Sequence, residues 1–375
     1  MTRGSLPSLS LALLTLAVLG CEPGAPVVSS PSDPPPGPFV AAPNVTVRST
    51  TDLGTFGLDH GFGFEINDAG AVAGRTESGL NCANFCRAVF WSQRTGPIDL
   101  GTLGGASSET RALNNHGLVV GFAQKSGDVL FQGHPVIWYV RPSGVEMLEL
   151  GSFVGGQVED VNDAGVVVGW STPVLPPALS VQTAFRWTAR EGLTVIPPLA
   201  GTRSTALGIN NAGDVVGLSS VGAGPDHAVI WRRDGTVTDI GTLGGNASAR
   251  SINDRGEVTG HSRLCVGPPP CSPLQHAFYW SAADGMIDLG TFGGVQSFAF
   301  EIDNHGRVTG RYDEADGTLH AFVWSKATGK VDLPTLGGLG SSTGSINARG
   351  QMTGRAQDAS GVFHAVIWQL GPATP

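Results

Sequence analysis

Positively charged residues are scarce in this chain. Lys and Arg together number 22 against 31 Asp and Glu, which gives a net charge of −9, and the basic residues form no cluster or stripe. Proteins that bind nucleic acid use grouped Lys and Arg side chains to displace counterions from phosphates. The sequence therefore predicts no nucleic-acid partner.

Long apolar stretches are also missing, except near the N-terminus. Leu9 to Leu19 is almost wholly apolar and follows Arg3, and it is too short for a typical membrane span. It runs into Val18-Leu19-Gly20-Cys21, which resembles a bacterial lipobox. We expect residues 1–20 to be a signal peptide and Cys21 to be the lipidated N-terminus; an ordinary signal peptide cleaved nearby is the alternative.

Residues 21–43 have no apolar periodicity and are rich in Pro and Ser. Such a composition is typical of an extended, semi-rigid tether. Together with the lipobox, it predicts an exported protein of the cell envelope, anchored to a membrane through its lipid, or a secreted one.

Three short phrases recur through residues 44–375. One is Asp-Leu-Gly-Thr-Leu-Gly-Gly or a close variant, as at Asp99–Gly105 and Asp239–Gly245. The second is an aliphatic residue, then Asn or Asp, then Gly three positions later, with anchors at Asn67, Asn114, Asn162, Asn210, Asn253, Asp303 and Asn347. The third ends in Trp, at Trp91, Trp138, Trp187, Trp231, Trp280, Trp324 and Trp368. The Asn/Asp anchors lie 43 to 50 residues apart, a period typical of propellers and solenoids.

Each unit divides into four predicted strands. In residues 242–288, Ala249–Asn253 and Glu257–His261 flank a tight turn, and His276–Trp280 and Met286–Leu289 follow. Four antiparallel strands per unit match one propeller blade.

The two ends of the repeat region complement each other. The last unit lacks the Asp-Leu-Gly phrase, which stands instead at Asp52–Gly54. An N-terminal strand can therefore complete the last blade and close the ring without open edges. The sequence predicts an all-β fold, a seven-bladed propeller of four-stranded blades closed in this way.

These phrases resemble the HAF repeat of bacterial extracellular repeat proteins, named for the His-Ala-Phe triplet that stands here at His276–Phe278 and His320–Phe322. The resemblance covers roughly residues 51–370. It implies an exported β-propeller-like protein and brings no established activity, catalytic residue or cofactor.

Five histidines lie four residues before a repeat Trp: His134, His227, His276, His320 and His364. A ring spreads equivalent positions around a circle, so they cannot converge on one ion, and we interpret them as hydrogen-bonding groups within each blade. Glu65, Asp160 and Glu301 share one first-strand position. They could bind a cation, but solvated or turn-paired side chains are the favoured interpretation. No metal site and no cofactor is predicted.

Two pairs of cysteines fall in the loop between the second and third strands, Cys82 with Cys86 in blade one and Cys265 with Cys271 in blade five. Each pair is close in sequence and the expected compartment is oxidising, so we predict two local disulfides. A four-Cys zinc site would require loops from non-adjacent blades to meet.

The loops between the second and third strands lie on one face of the predicted propeller and vary in length and content from unit to unit. Such variation favours ligand recognition by this face. Trp170 begins the insertion that runs to Gln182, and an exposed Trp could contact a sugar or a protein; alternatively, this loop folds back over blade three. Asp59, His60 and Arg203 precede first strands, where they could line the channel mouth. These four residues are the candidate ligand contacts.

The sequence contains no recognisable Ser-His-Asp arrangement and no sialidase-type Asp box. We therefore predict that the chain is not an enzyme but a non-catalytic binding module for a carbohydrate or protein ligand. The alternatives are a secreted polysaccharide hydrolase or lyase that uses Asp59 and His60, and a purely structural envelope protein.

Overall fold

A computed structural model describes residues 45–82, 85–128, 133–151, 156–172, 174–175, 179–264 and 274–371. All of them belong to the unit Ala41–Pro375. The predicted signal peptide, the lipidation of Cys21 and the tether lie outside the described residues. Within them the helical structure is one 3-10 turn, Leu80–Cys82, and no helix there is long and apolar enough to cross a membrane.

Seven antiparallel sheets of four strands each form the fold. Blade 1 contains β2 (His60–Ile66), β3 (Val72–Ser78), β4 (Phe85–Ser92) and β5 (Gly96–Asp99). Blade 2 contains β6 (Gly104–Leu113), β7 (Leu118–Lys125), β8 (His134–Arg141) and β9 (Gly144–Glu149). Blade 3 contains β10 (Gln157–Val161), β11 (Val167–Ser171), β14 (Thr183–Thr188) and β15 (Gly192–Ile196), with a small hairpin, β12 (Val174–Leu175) and β13 (Leu179–Ser180), inserted between its middle strands.

The remaining blades repeat the same order. Blade 4 contains β16 (Ser204–Ile209), β17 (Val215–Ser220), β18 (Asp226–Trp231) and β19 (Val237–Gly241). Blade 5 contains β20 (Ala247–Ile252), β21 (Val258–Leu264), β22 (Leu274–Ser281) and β23 (Gly285–Asp288). Blade 6 contains β24 (Gln296–Ile302), β25 (Val308–Asp313), β26 (Leu319–Ser325) and β27 (Gly329–Asp332). Blade 7 contains β28 (Gly337–Ile346), β29 (Gln351–Asp358), β30 (Phe363–Leu370) and β1 (Val47–Gly54).

Blade 7 combines the two ends of the chain. Its strand order is β1-β30-β29-β28, so the N-terminal strand takes the outermost place. In the register of this pairing, Thr50 lies opposite Trp368 and Asp52 opposite Val366. The predicted seven-bladed propeller and its closure are confirmed.

The His-Ala-Phe and Asp-Leu-Gly phrases are two halves of one interaction. In three blades the histidine Nδ1 of the third strand lies 2.9 Å from an aspartate oxygen of the fourth strand; the pairs are His227–Asp239, His276–Asp288 and His364–Asp52. The same aspartate accepts a backbone N–H from the glycine two residues later, as Asp288 does from Gly290 at 2.7 Å. In these three blades the histidines are structural groups, as the sequence predicted.

The hydrophobic core lies between successive blades. One buried cluster joins Ala88 and Phe90 of blade 1 to Val136 and Trp138 of blade 2, and equivalent clusters follow around the ring. Large third-strand side chains thus pack against small or branched ones from the neighbouring blade.

A ladder of asparagine side chains joins the blades around the axis. The amide Nδ2 of each first-strand Asn donates to the backbone carbonyl of the corresponding residue in the next blade, at 2.9 to 3.2 Å; the donors are Asn67, Asn114, Asn162, Asn210, Asn253 and Asn347. Asp303 cannot donate, and there Arg307 supplies the link to the carbonyl of Asn347 at 3.4 Å. The ladder therefore closes on itself.

Replacing one rung is expected to be costly. Asn210→Ala removes the amide donor to Asn253 and the side-chain acceptor of the Asp214 N–H, and unsatisfied buried groups of this kind each cost about 1–3 kcal/mol. We expect the free energy of unfolding to fall by about 3 kcal/mol in a denaturant titration. Asn211→Ala is the matched control, because this neighbouring asparagine is exposed and its side chain bonds to Asp163 at the surface, and it should change stability by less than about 1 kcal/mol. Equal losses in the two variants would show that the ladder adds no stability.

Candidate functional site

Every first strand carries a β-bulge just before its end. In six blades one residue is skipped in the pairing with the second strand, as between Gly63 and Glu65 in blade 1, and in blade 7 two are skipped, between Thr343 and Ile346. A bulge interrupts the alternation of faces, so two consecutive side chains can face the same side of the sheet. Here that side is the central channel.

The second strand is shaped to fit this bulge. Its repeated glycine lies against the bulged backbone: a Cβ on Gly74 would stand 2.2 Å from the carbonyl oxygen of Phe62, and one on Gly217 1.9 Å from that of Thr205. Glycine is needed at this position because any side chain would collide with the first strand.

The bulge residues of the seven blades form one ring around the channel. We call this ring the funnel; its members are Phe64, Arg111, Glu159, Leu207, Arg250, Phe300 and Gly344. Together with neighbours such as Arg311, the funnel lines a cavity of about 200 Å³. Aromatic side chains stand on blades 1 and 6, a glycine lies between them on blade 7, and arginines stand on blades 2 and 5.

The funnel arginines carry unused hydrogen-bonding capacity. The Nε of Arg111 is buried and has no hydrogen-bond partner among the described residues. Among the described residues, Arg250 likewise forms no ion pair with a carboxylate within 4.0 Å. Burial lowers the pKa of the adjacent His261 to about 3, with Arg250, Arg263 and Arg311 adding to the effect, so His261 stays neutral.

A second ring, one residue further along each first strand, forms the floor of the funnel. It consists of three acids and four small residues, in the order Glu65, Ala112, Asp160, Gly208, Ser251, Glu301 and Ser345. We call its three acids, Glu65, Asp160 and Glu301, the waist carboxyls. They line both the funnel and a cavity of about 190 Å³ on the side of the asparagine turns.

Short hydrogen bonds hold the waist carboxyls in place. Asp160 accepts the backbone N–H of Ile209 at 2.8 Å and that of Val161 at 2.7 Å. Glu301 accepts the Ser251 hydroxyl at 2.6 Å. Each acid is partly exposed towards the channel, and the interpretation of these side chains as solvated or turn-paired groups stays a prediction.

The pKa values of the waist carboxyls are raised. Burial raises the pKa of Asp160 to about 6, and burial together with the charge of Asp160 raises the pKa of Glu301 to about 8. Burial, with the charges of Glu301 and Asp160, raises the pKa of Glu65 well above its usual value. Glu301 therefore keeps its proton at neutral pH, whereas Asp160 ionises near pH 6. Among the described residues the three acids do not approach closely enough to form a metal site.

Three of the predicted contact residues make contacts within the scaffold. Asp59 accepts the backbone N–H of Gly79 at 2.9 Å, His60 Nδ1 accepts that of Phe363 at 3.1 Å, and Arg203 is paired with Asp226. None of the three lines the two channel cavities described above. Their role in binding a ligand stays a prediction.

Trp170 is not the exposed loop residue that the sequence suggested. It lies half-buried on β11, between Gln157 and Ala184 of the adjacent strands, and its indole N–H donates to Glu159 of the funnel at 3.1 Å. Trp170 therefore supports the funnel from behind.

The structure describes the cysteines of one predicted disulfide and not those of the other. Cys82 and Cys86 are buried free thiols here, so the bond expected between them is not formed in this structure. Cys265 lies outside the described residues, and so does Cys271, because both belong to the loop segment 265–273. The disulfide between Cys265 and Cys271 is therefore untested and stays a prediction.

Comparisons of the sequence with known families and curated proteins found no match. No family model matches it, and no curated protein matches it. The resemblance to the HAF repeat therefore stays a prediction.

Solved structures match the fold. The β-propeller domain of the Trilobed protease from Pyrococcus furiosus, described with an open velcro topology, has 10% sequence identity and a TM-score of 0.50 over 84% of this chain and 98% of that one. The acylaminoacyl peptidase of Pyrococcus horikoshii has 12% identity and a TM-score of 0.53 over 84% of this chain and 52% of its own. A puromycin hydrolase has 11% identity and a TM-score of 0.53 over 86% and 56%. The chain thus spans about half the length of these last two proteins.

These matches overturn one prediction. The expectation that the chain is not an enzyme was wrong as argued, because structures that share its propeller include a peptidase and a hydrolase. At 10–12% identity the likeness shows the fold alone. The missing sequence signature of catalysis therefore does not exclude chemistry in the channel.

Proposed function

We propose that this protein binds a small organic anion in the funnel of its central channel. The observation that carries the proposal is the placement of Arg111 and Arg250 at two bulge positions of one cavity, with a buried Arg111 Nε that lacks a partner in the described part of the chain. Arginine recognises carboxylate, phosphate and sulfate groups through paired N–H donors. An anion in the cavity would pair with Arg250 and would share Arg111 with Glu109, whose Oε1 lies 3.6 Å from Arg111.

The other funnel residues restrict the size and shape of the ligand. Phe64 and Phe300 flank Gly344 and offer ring faces beside a gap, which suits a flat apolar surface such as one face of a sugar or an aromatic ring. The cavity, at about 200 Å³, is below the roughly 300 Å³ or more of typical drug-sized sites. We therefore favour a ligand of one ring bearing one acidic group.

Export, lipid anchoring at Cys21 and engagement of a carbohydrate fit this proposal and belong to it as expectations. An acidic sugar presented outside the cell is one ligand that combines them.

Calorimetric titration with matched pairs of compounds tests the proposal. We expect galacturonate or benzoate to bind and galactose or benzyl alcohol not to bind. Arg250→Gln should weaken binding by about 10- to 100-fold, because a hydrogen bond to a charged group contributes about 1.5–3 kcal/mol. Arg233→Gln is the control, since Arg233 is exposed in the β18–β19 turn. Equal binding of charged and neutral partners, or equal loss in both variants, would contradict an anion site.

A second candidate function is acid-base catalysis on the bound anion. The specific observation is the raised pKa of Asp160, about 6, and of Glu301, about 8, at the floor of the same cavity. A carboxyl protonated near neutral pH can act as a general acid. In this second proposal the hydrolase or lyase acts in the channel and not at Asp59 and His60.

Turnover of acidic oligosaccharides, followed by reducing ends and by absorbance of unsaturated products, tests this second candidate. We expect Glu301→Gln to lower turnover at least about 100-fold while leaving ligand affinity within about threefold, since general acid catalysis contributes about 10²- to 10⁴-fold. Absent turnover in the parent protein would remove the catalytic candidate and leave the binding proposal standing.

A further inference from the structure

A buried cluster of metal-binding atoms lies outside the channel, at the contact between blades 1 and 2. The sulfur atoms of Cys82 and Cys86 and a carboxylate oxygen of Glu109 lie within 4.8 Å of one another, and all three residues are buried. Among the described residues this is the one grouping of three such donors.

The three donors come from separate elements. Cys82 ends the 3-10 turn Leu80–Cys82 with a left-handed φ of 57°, Cys86 lies on β4, and Glu109 lies on β6 of the next blade. The Cys86 N–H also donates to Ser107 of β6 at 3.3 Å. A ligand held by all three would join the loop of blade 1 to the first strand of blade 2.

The two thiolates and the Glu109 carboxylate would bring three negative charges to a divalent cation, and the arginines beside them balance the excess. Arg75 and Arg111 pair with Glu109, and both ion pairs use its Oε1, at 3.1 and 3.6 Å. Among the described residues no ion pair uses the second oxygen of Glu109. Glu77 Oε2 lies 3.9 Å from the Cys82 sulfur and is near enough to complete the set, although it also accepts the Nε–H of Arg75 at 2.9 Å.

We infer that Cys82, Cys86 and Glu109 form a binding site for a thiophilic divalent cation such as Zn²⁺. Zinc takes cysteine sulfur at about 2.3 Å and carboxylate oxygen at about 2.0–2.2 Å in tetrahedral geometry. Ligand atoms in such a site are therefore roughly 3.5–4 Å apart, so the donors need to close by only about 1 Å. The fourth position belongs to Glu77 or to water.

This site is distinct from the disulfide predicted for the same cysteines. A disulfide consumes both thiols in an oxidation, whereas metal binding releases their protons and leaves the sulfurs reduced. The two states exclude each other, so one experiment separates them.

The test uses the full chain, reduced, freed of metal with a chelator and titrated with Co²⁺ and then Zn²⁺. We expect one equivalent of Co²⁺ with a thiolate-to-cobalt absorption band that Zn²⁺ abolishes, and a rise in the melting temperature with Zn²⁺. Cys82→Ser and Cys86→Ser should each lose the band, and Glu109→Gln should weaken binding at least about 10-fold. The control is the double variant that carries Cys265→Ser together with Cys271→Ser, which should keep the band.

Several results would overturn the inference. These are no band in a folded parent protein, a band that survives Cys82→Ser, and equal loss in the control that lacks Cys265 and Cys271. A disulfide between Cys82 and Cys86, found by mass spectrometry in protein isolated without reductant, would also overturn it. Circular dichroism of each variant separates loss of the site from loss of the fold.

Discussion

Deleting β1 is expected to open the ring and to remove most of the protein's folding stability. β1 (Val47–Gly54) is the outer strand of blade 7, and it pairs along its length with β30. Val45 and Val47 pack against the buried cluster that contains Trp368. Without β1, the edge of β30 and this apolar surface would face water. Because the whole stability of a domain is about 5–15 kcal/mol, we expect the truncated chain to lose cooperative unfolding in a urea titration.

A paired substitution separates closure of the ring from ordinary strand pairing. Asp52→Asn and Asp288→Asn each weaken the same histidine–aspartate contact, but β23 is tied to its blade by the chain on both sides, whereas β1 is joined to blade 7 through β30 alone. We expect the Asp52 variant to lose about 1 kcal/mol more than the Asp288 variant. A truncated chain that melts like the parent, or equal effects in the two variants, would mean that the ring does not depend on its closing strand.

The second large effect is a fall in stability as the pH rises from about 5 to 8. Folding raises the pKa of Glu65, Asp160 and Glu301, so the folded state binds more protons than the unfolded state between their ordinary and their raised pKa values. Stability from such groups is present below about pH 4 and is lost as the pH passes the raised values. For Asp160, a shift of the pKa from 3.8 to about 6 corresponds to about 3 kcal/mol.

Glu301→Gln isolates this effect. The amide keeps the acceptor for Ser251 but cannot ionise, so the variant should be more stable than the parent at about pH 8 by a few kcal/mol and nearly equal to it at about pH 4.5. Glu146→Gln is the matched control, because its side chain is 67% exposed. Denaturant titrations at several pH values measure both variants. A free energy of unfolding that rises between about pH 5 and 8 in the parent would contradict raised pKa values for the waist carboxyls.

The fold was predictable because each repeated phrase has its own local chemistry. The Asn-x-x-Gly turn needs a left-handed residue, which Gly70 provides with φ of 78°, and the histidine and aspartate phrases bond to each other across neighbouring strands. Seven copies of such signals leave little freedom in strand order. The complementary ends then indicated the closing strand.

The site was less predictable because it depends on the bulges. Strict alternation along a strand puts neighbouring residues such as Phe64 and Glu65 on opposite faces, whereas the bulge turns both to the channel. Arg111 and Arg250 were missed for this reason. A usable signal was present, since the two positions before the aliphatic-Asn pair vary most in charge and size from repeat to repeat.

The asparagine ladder also gives the ring a direction. Every amide donates to the blade that follows it in sequence, and the last, Asn347, donates to the first, Asn67. A closed circuit of this kind has no first or last member, so no donor or acceptor is left over at an end. Each blade can therefore serve equally as the place where the chain starts, provided that the order of the blades is kept. The ring should accept circular permutation at the loops between blades, once Gly371 is linked to its neighbour Thr46, which already bonds to it at 2.8 Å.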